Sequence, residues 1–268
     1  MAARRWRHRK KNNQANGLAA FPLYRLFPNL VTILALCAGL SAIRFAWMER
    51  WEYSVTLIVA AAFLDGIDGR LARLLNATSN LGAQLDSLAD FLNFGVAPAL
   101  VLYQWTLNEL GGIGWGISIF YTICAAIRLA RFNSNLEDKT QKILGEIFFF
   151  GIPSPSAAGL SLLPIILSFL FVEKYDEAPF HITPWMSAIF TAVIAVFMVS
   201  RIPTFAAKRL PIKREIVPLA LALAALFVIA LILEPWVTLP LLGILYLIGL
   251  PISAATYYWR FSKAKKLS

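Results

Sequence analysis

Long apolar segments, separated by short polar stretches, make up most of this chain from residue 29 to residue 258. A helix that crosses the hydrocarbon core of a bilayer needs about 20 mostly apolar residues. Because every stretch between the segments is short, the sequence leaves no room for a soluble domain. We therefore predict an all-α integral membrane protein, a polytopic helix bundle of about eight transmembrane helices. The predicted spans are 29–48, 53–75, 82–106, 113–132, 154–172, 183–200, 215–233 and 236–258.

Composition and charge agree with this pattern. Of the 268 residues 59% are hydrophobic, and the mean hydropathy is +0.65. The net charge of +10 would suggest a nucleic-acid partner in a soluble protein. Here the basic residues concentrate on one side of the membrane. If the N-terminus is cytoplasmic, only three of the 25 Lys and Arg residues lie outside: Arg44, Arg50 and Lys174. The positive-inside rule therefore predicts an inner-membrane protein with both termini in the cytoplasm, basic segments beside membrane lipids, and no nucleic-acid partner.

The same pattern divides the chain into four regions. Residues 1–20 form a basic, polar tail that we expect to be disordered. Residues 21–28 mix apolar, aromatic and basic side chains, as interfacial segments do. Residues 29–202 contain six spans and the acidic residues inside them, so we predict that this six-helix membrane core carries the chemistry. Residues 203–268 add two transmembrane helices and a basic C-terminus, for which we predict a packing or lipid-facing role.

Two aspartates near the end of the second span share a helix face with three other residues of interest. On a helix that turns about 100° per residue, Asp65, Asp68, Gly69, Ala72 and Arg73 fall within one arc of about 140°. These residues have little in common in hydrophobicity, so membrane burial does not explain the arc. They lie toward the inner end of the span, and we therefore predict a site that faces the cytoplasm.

The third span carries a second polar stripe. Gly82, Asp86 and Asp90 recur every four residues and so lie on one side of a helix. The segment before Gly82, "LLNATSNL", is rich in Asn, Ser and Thr, which favour a tight turn and an N-cap for the next helix. A short turn makes the second and third helices antiparallel neighbours. The two acidic stripes are therefore expected to face each other.

Four carboxylates in a membrane span are costly, at roughly 2.5–3.5 kcal/mol each even on a lenient scale. Arg73 is the only cation on the first stripe, so the pair of stripes has a net negative charge that favours a divalent cation. Because the chain has only two His and two Cys residues, zinc is disfavoured, and Mg²⁺ or Mn²⁺ suits the oxygen ligands best. Interhelical ion pairs or water-filled packing are the alternative, which four aspartates in register disfavour.

The spacing D-x-x-D-G-x-x-A-R-x(8)-G-x-x-x-D-x-x-x-D resembles the signature of the CDP-alcohol phosphatidyltransferase family. The resemblance implies a metal-dependent transfer of a phosphatidyl group from a CDP-linked lipid to an alcohol, with release of CMP. It implies that the first three aspartates bind the metal and that the fourth, Asp90, adds to the metal site and acts as the base. It also implies that the Gly and Arg positions contact the nucleotide end. The signature positions are Asp65, Asp68, Gly69, Ala72, Arg73, Gly82, Asp86 and Asp90.

Three later segments, 87–99, 126–133 and 148–159, resemble those of the phosphatidylserine synthase branch of the family. This resemblance implies CDP-diacylglycerol as the donor and L-serine as the acceptor. Arg128 and Arg131 lie three residues apart at the inner end of the fourth span, where they suit a carboxylate or a phosphate. A simple positive-inside anchoring role for both arginines is equally compatible with the sequence.

Three more polar residues are candidates for the nucleotide end of the donor. The family uses a segment like "PNLVT", with Asn29 and Thr32 one turn apart, against the CDP group, and a plain helix N-terminus is the alternative. Ser79 in the predicted turn falls where the family often has Ser or Thr near the nucleotide.

Other activities remain as alternatives. An acceptor such as glycerol 3-phosphate, inositol or choline would require the same aspartates. A cation-coupled or proton-coupled transporter would place carboxylates along several spans, whereas here they concentrate on two adjacent ones. The sequence does not fix the oligomeric state and is compatible with a homodimer.

Overall fold

The computed structural model describes residues 26–137, 148–175, 182–200, 203–205 and 217–265. Within these ranges the regular structure is helical apart from two three-residue strands that pair antiparallel. The elements are α1 (Phe27–Trp47), α2 (Trp51–Leu74), α3 (Asn80–Phe91), a π-helical segment (Leu92–Val96), α4 (Ala97–Trp105), a 3-10 helix (Leu107–Leu110), α5 (Gly112–Glu137), β1 (Phe148–Phe150), α6 (Ser154–Ser161), α7 (Leu163–Tyr175), α8 (Pro184–Val199), β2 (Pro203–Phe205), α9 (Val217–Leu233) and α10 (Pro235–Lys265).

Each of the eight predicted spans coincides with helical structure, but two are not single α-helices. The third contains the π-helical segment, and the fifth divides at Leu162 into α6 and α7. The all-helical membrane class is confirmed, while the count of eight spans and the orientation of the termini stay predictions. Within the described ranges, three stretches are long and apolar enough to cross a membrane, namely Phe27–Trp47, Asn80–Trp105 and Gly112–Ser134.

The N-terminal regions of the prediction are only partly described. The basic tail at 1–20 lies outside the described residues, as does 21–25 of the predicted interfacial segment. Phe27 and Pro28 belong to the first turn of α1, so the helix begins two residues before the predicted span. Proline suits this position because its missing N–H would have had no partner within the helix.

Small residues bring α1 close to its neighbours. Ala35, Gly39, Ala42 and Ala46 are buried on α1, which packs against α2, α3, the π-helical segment and α4. A Cβ atom on Gly39 would overlap the Oδ1 atom of Asn93, so the helix approaches the π-helical segment without room for a side chain. The first helix thereby holds the second and third in place, which are the helices that carry the acidic stripes.

The π-helical segment is tied to α5 by two hydroxyl groups. The buried Tyr121 hydroxyl donates to the carbonyl of Phe94 at 3.1 Å, and Thr122 Oγ1 donates to the carbonyl of Gly95 at 3.4 Å. A π-turn departs from the regular i to i+4 hydrogen-bond pattern, so acceptors in it need other partners. α5 supplies them and crosses closely, since a Cβ atom on Gly95 would lie 3.0 Å from that of Ala125.

Two clusters of buried apolar side chains form the core. The first joins α1, α2, α4, α7 and α8, and the second joins α4, α5, α6, α7 and α8. Side chains of α10, including Tyr246, Leu247 and Leu250, pack against the second cluster. One face of α10 therefore packs into the interior of the bundle.

Candidate active site

Three of the four aspartates come together where α2 ends and α3 begins. Asp65, Asp68 and Asp86 each offer a carboxylate oxygen, and these three oxygen atoms lie within 4.8 Å of one another. Asp68 is 4% exposed, whereas the other two are half-buried. The facing acidic stripes that the spacing predicts are thus present at this end of the bundle.

The turn between α2 and α3 sets their relative position. α2 ends at Leu74, and Asn76 adopts a positive φ of 48° in the turn. Ser79 is the N-cap of α3: its backbone is extended, and its Oγ atom accepts a hydrogen bond from the Gly82 N–H at 3.0 Å. The predicted tight turn with an N-cap for the second helix is confirmed.

Two residues in the first turns of α1 lie against the two helices that carry the aspartates, α2 and α3. Thr32 Oγ1 donates to Asp68 Oδ2 at 2.8 Å and is also 3.2 Å from the carbonyl of Pro28. Asn29 lies against the start of α3, because a Cβ atom on Gly82 would come within 2.8 Å of Asn29 Oδ1. The structure therefore brings Asn29 and Thr32 to the acidic faces.

Asp90 lies one helical turn beyond Asp86 and is not a member of the group of three. It is still close enough to Asp65, Asp86 and Asp68 for their charges to act on it. Its Oδ1 atom is buried and has no hydrogen-bond partner in the described part of the chain. A set of carboxylates with a buried unpaired oxygen fits a hard divalent cation, which takes oxygen ligands.

The three remaining positions of the first stripe form an open surface on α2. Gly69 and Arg73 are exposed, and Ala72 is half-buried. A Cβ atom on Gly69 would meet nothing within 4 Å among the described residues. Packing among the described residues therefore does not explain the glycine, although it costs about 1 kcal/mol relative to alanine in a helix interior.

The structure separates the two arginines that the sequence pairs. Arg128 Nη1 donates to the buried Ser154 Oγ at 2.6 Å, and Arg128 is close enough to Asp90 to interact with its charge. Arg131 Nη1 instead donates to the carbonyl of Val199 at 2.8 Å, at the C-terminal end of α8. Of the two candidates, Arg128 is within electrostatic reach of Asp90, while Arg131 bonds α5 to α8.

One polar side chain near this region is not singled out by the sequence. Tyr246, on α10, lies near Arg128 and next to Ser156 of α6. The segment 148–159, which includes the start of α6, stands out in the sequence, but a single tyrosine in a long apolar span does not. The packing of α10 against the second core cluster agrees with the packing role predicted for the last two spans, which stays a prediction.

Comparison with known proteins bears on the signature in this site. The family model described as CDP-alcohol phosphatidyltransferase matches residues 25–193, which include every residue of the acidic stripes. This chain belongs to the CDP-alcohol phosphatidyltransferase family. A second model of that family, CDP-alcohol phosphatidyltransferase 2, matches residues 215–251, which include all of α9 and the part of α10 that carries Tyr246.

Curated relatives in this family have a common name. A CDP-diacylglycerol–serine O-phosphatidyltransferase of Mycobacterium leprae is 36% identical over 235 residues, which cover 88% of this chain and 76% of the relative. The Helicobacter pylori protein of that name is 40% identical over 68% of this chain and 72% of its own length. One from Methanocaldococcus jannaschii is 33% identical over 59% and 78%. These matches confirm the resemblance that the aspartate spacing indicated.

Proposed function

We propose that this phosphatidyltransferase moves the phosphatidyl group of CDP-diacylglycerol to L-serine and thereby forms phosphatidylserine and CMP. The observation that carries the proposal is the convergence of Asp65, Asp68 and Asp86, with Asp90 one turn away. The choice of serine is supported by the names of the relatives and by the position of Arg128 near Asp90.

The carboxylates set the chemistry of the donor end. Asp65, Asp68 and Asp86, with a contribution from Asp90, would hold Mg²⁺ or Mn²⁺, and the bound ion would supply the positive charge that a diphosphate needs when its phosphorus is attacked. Thr32 orients the Asp68 carboxylate through their 2.8 Å hydrogen bond. Such a bond to a ligand side chain typically matters about 10–100-fold for metal affinity or activity.

The nucleotide end of the donor is assigned to the surface around the turn between α2 and α3. Arg73 is exposed beside the acidic stripe and suits a phosphate group through its guanidinium. Because Gly69 and Ala72 have no more than a methyl group as side chain, the CDP group can approach the backbone of α2 closely. The remaining contacts proposed for the CDP group come from Asn29, Thr32, Ser79 and Gly82.

The acceptor is activated at Asp90. Its buried Oδ1 atom accepts the proton of the serine hydroxyl as the serine oxygen attacks the phosphorus of the phosphatidyl group. A new oxygen–phosphorus bond forms, the bond between that phosphorus and the bridging oxygen breaks, and CMP leaves. Arg128 binds the serine carboxylate, because a guanidinium matches a carboxylate through two parallel hydrogen bonds.

The placement of the site suits substrates of different solubility. It lies at the bundle end where α1 and α3 begin and α2 ends, which we assign to the cytoplasmic half of the inner membrane with both termini inside. A lipid donor reaches this depth from the bilayer, and a water-soluble acceptor reaches it from the cytoplasm.

The direct test is an acceptor screen with purified full-length protein. The protein is mixed with CDP-diacylglycerol and Mg²⁺ or Mn²⁺, and each of serine, glycerol 3-phosphate, inositol and choline is offered alone. We expect CMP release and a product with the mass of phosphatidylserine from serine only. Turnover with another acceptor and none with serine would refute the substrate assignment while leaving the family chemistry intact.

A further inference from the structure

A mostly apolar cavity of about 280 Å³ lies between α2, the α6–α7 segment and α10. Its lining includes Ala62, three residues before Asp65 on α2, and Phe94, four residues after Asp90. Polar groups in its wall include the hydroxyls of Ser156 and Tyr246. The cavity therefore lies beside the helices that carry the acidic stripes, with Tyr246 of α10 in its wall.

Three buried polar atoms near this region have no hydrogen-bond partner among the residues the structure describes: Asp90 Oδ1, Arg128 Nε and Tyr246 Oη. Arg128 is close enough to both Asp90 and Tyr246 to interact with them electrostatically. Ser156 is a polar neighbour of Tyr246, but the two hydroxyls do not meet hydrogen-bond geometry. A buried polar group without a partner costs about 1–3 kcal/mol, so three around one region call for a common explanation.

We infer that Tyr246 binds the acceptor: its hydroxyl donates a hydrogen bond to the acceptor carboxylate that Arg128 also holds, so that α10 completes the acceptor pocket. This inference rests on the proposed function. Nη1 of Arg128 donates to Ser154, whereas its buried Nε–H has no partner among the described residues and can donate to a ligand. An amino acid with a side-chain hydroxyl carries a partner for each of the three atoms: its carboxylate for Arg128 and Tyr246, and its hydroxyl for Asp90.

A lipid acyl chain in the cavity is the competing occupant. The apolar lining would accept one, but an acyl chain offers no partner to the Tyr246 hydroxyl or to Arg128 Nε. The two occupants predict different effects of removing the hydroxyl. Loss of a contact to the acceptor changes the KM for serine, whereas a changed acyl-chain site alters the KM for CDP-diacylglycerol.

The test is Tyr246→Phe in the full-length protein, with Tyr103→Phe as the matched control. Tyr103 is also partly buried, but it lies on α4, where it packs edge-on against Trp115 at 5.1 Å. We expect Tyr246→Phe to raise the KM for serine about tenfold, as the loss of a hydrogen bond to a charged group should. The KM for CDP-diacylglycerol and the kcat at saturating serine should stay within about twofold, and the control should leave all three unchanged.

Serinol, which replaces the serine carboxylate with a hydroxymethyl group, sharpens the result. Measured as a substrate or as a competitor of serine, it should show no loss of affinity in Tyr246→Phe, because it lacks the group that Tyr246 binds. Equal losses for serine and serinol, a raised KM for the donor, or an unchanged KM for serine would each overturn the inference. Absence of CMP release from serine by the unmodified protein would instead overturn the proposed function.

Discussion

The two halves of the candidate site are built in different ways. The acidic half comes from adjacent helices: α2 and α3 are joined by a five-residue turn, and Asp65 through Asp90 all lie within one hairpin. The acceptor half that we propose consists of Arg128, Ser154 and Tyr246, which come from three helices far apart in the chain. The first half has excess negative charge that needs a cation, and the second has buried groups that need a polar ligand. Common donor chemistry and acceptor choice are therefore assigned to separate structural units.

The largest expected effect is on the acidic half, from Asp90→Asn. The amide keeps the shape of the side chain but cannot take the serine proton at Oδ1. A positioned general base contributes about 10²–10⁴-fold, so kcat should fall by that factor. The dissociation constant for CDP-diacylglycerol, measured by titration calorimetry in detergent, should change by no more than about threefold.

Glu109→Gln is the matched control for this substitution. Glu109 is an exposed carboxylate in the 3-10 helix before α5, far along the chain from the acidic stripes. Its neutralisation should leave kcat unchanged. Near-normal turnover by Asp90→Asn would remove this residue from the role of base, and loss of donor binding would assign it to the metal site alone.

The next effect concerns the support of the metal ligands, tested by Thr32→Val. The change keeps the side-chain volume and removes the 2.8 Å hydrogen bond to Asp68 Oδ2. The Mg²⁺ or Mn²⁺ concentration needed for half-maximal activity should rise about 10–100-fold, as for other residues that orient a metal ligand. The measurement is a metal titration after removal of metal with a chelator.

Thr56→Val is the control for this second change. Thr56 lies on α2 as Asp68 does, but it is exposed and three turns away. Its replacement should not alter the metal requirement. Full activity of the unmodified protein after chelation, without added metal, would contradict the metal site as a whole.

The acceptor half is tested by comparing Arg128→Ala with Arg131→Ala. Arg128→Ala should raise the KM for serine by at least about tenfold, and by more than it raises the KM for the donor. Arg131→Ala removes the 2.8 Å bond to the Val199 carbonyl and should lower the unfolding free energy by about 1–2 kcal/mol instead. Steady-state kinetics and thermal unfolding separate the two outcomes. Equal rises in both KM values for Arg128→Ala would contradict a contact to the serine carboxylate.

The same contrast explains what could be predicted from the sequence. Helical periodicity places Asp65 and Asp68 on one face, and the short turn after Leu74 leaves α3 few positions other than antiparallel to α2. Because these rules are local, the acidic half of the site could be predicted from the sequence. The N-cap before the third helix, which the structure places at Ser79, could be predicted for the same reason.

The acceptor half could not be predicted in the same way. The sequence does not distinguish Arg128 from Arg131. Only the packing of α6 and α8 against α5 provides a buried serine as hydrogen-bond partner for Arg128 and a backbone carbonyl as partner for Arg131. Tyr246 lies in an apolar span whose periodicity does not reveal its neighbours. The π-helical segment was also missed, because the hydroxyls of Tyr121 and Thr122 that support it come from another helix.

The smallest expected effect tests how closely the donor approaches the acidic half, through Gly69→Ala. A methyl group at Gly69 meets no described atom within 4 Å, and alanine is a better helix former, so the protein should fold at least as stably. If the CDP group rests on α2 at this point, the KM for CDP-diacylglycerol should rise on the order of tenfold.

Gly66→Ala is the matched control for Gly69→Ala. A Cβ atom there also meets nothing within 4 Å, but Gly66 lies one residue from Asp65 and so points about 100° away from it on the helix. The two variants should have the same thermal stability and differ only in donor KM. Because the folded protein tolerates both methyl groups, a donor KM raised at Gly69 alone would have to come from the ligand. An unchanged donor KM in Gly69→Ala would mean that the nucleotide does not approach this face of α2.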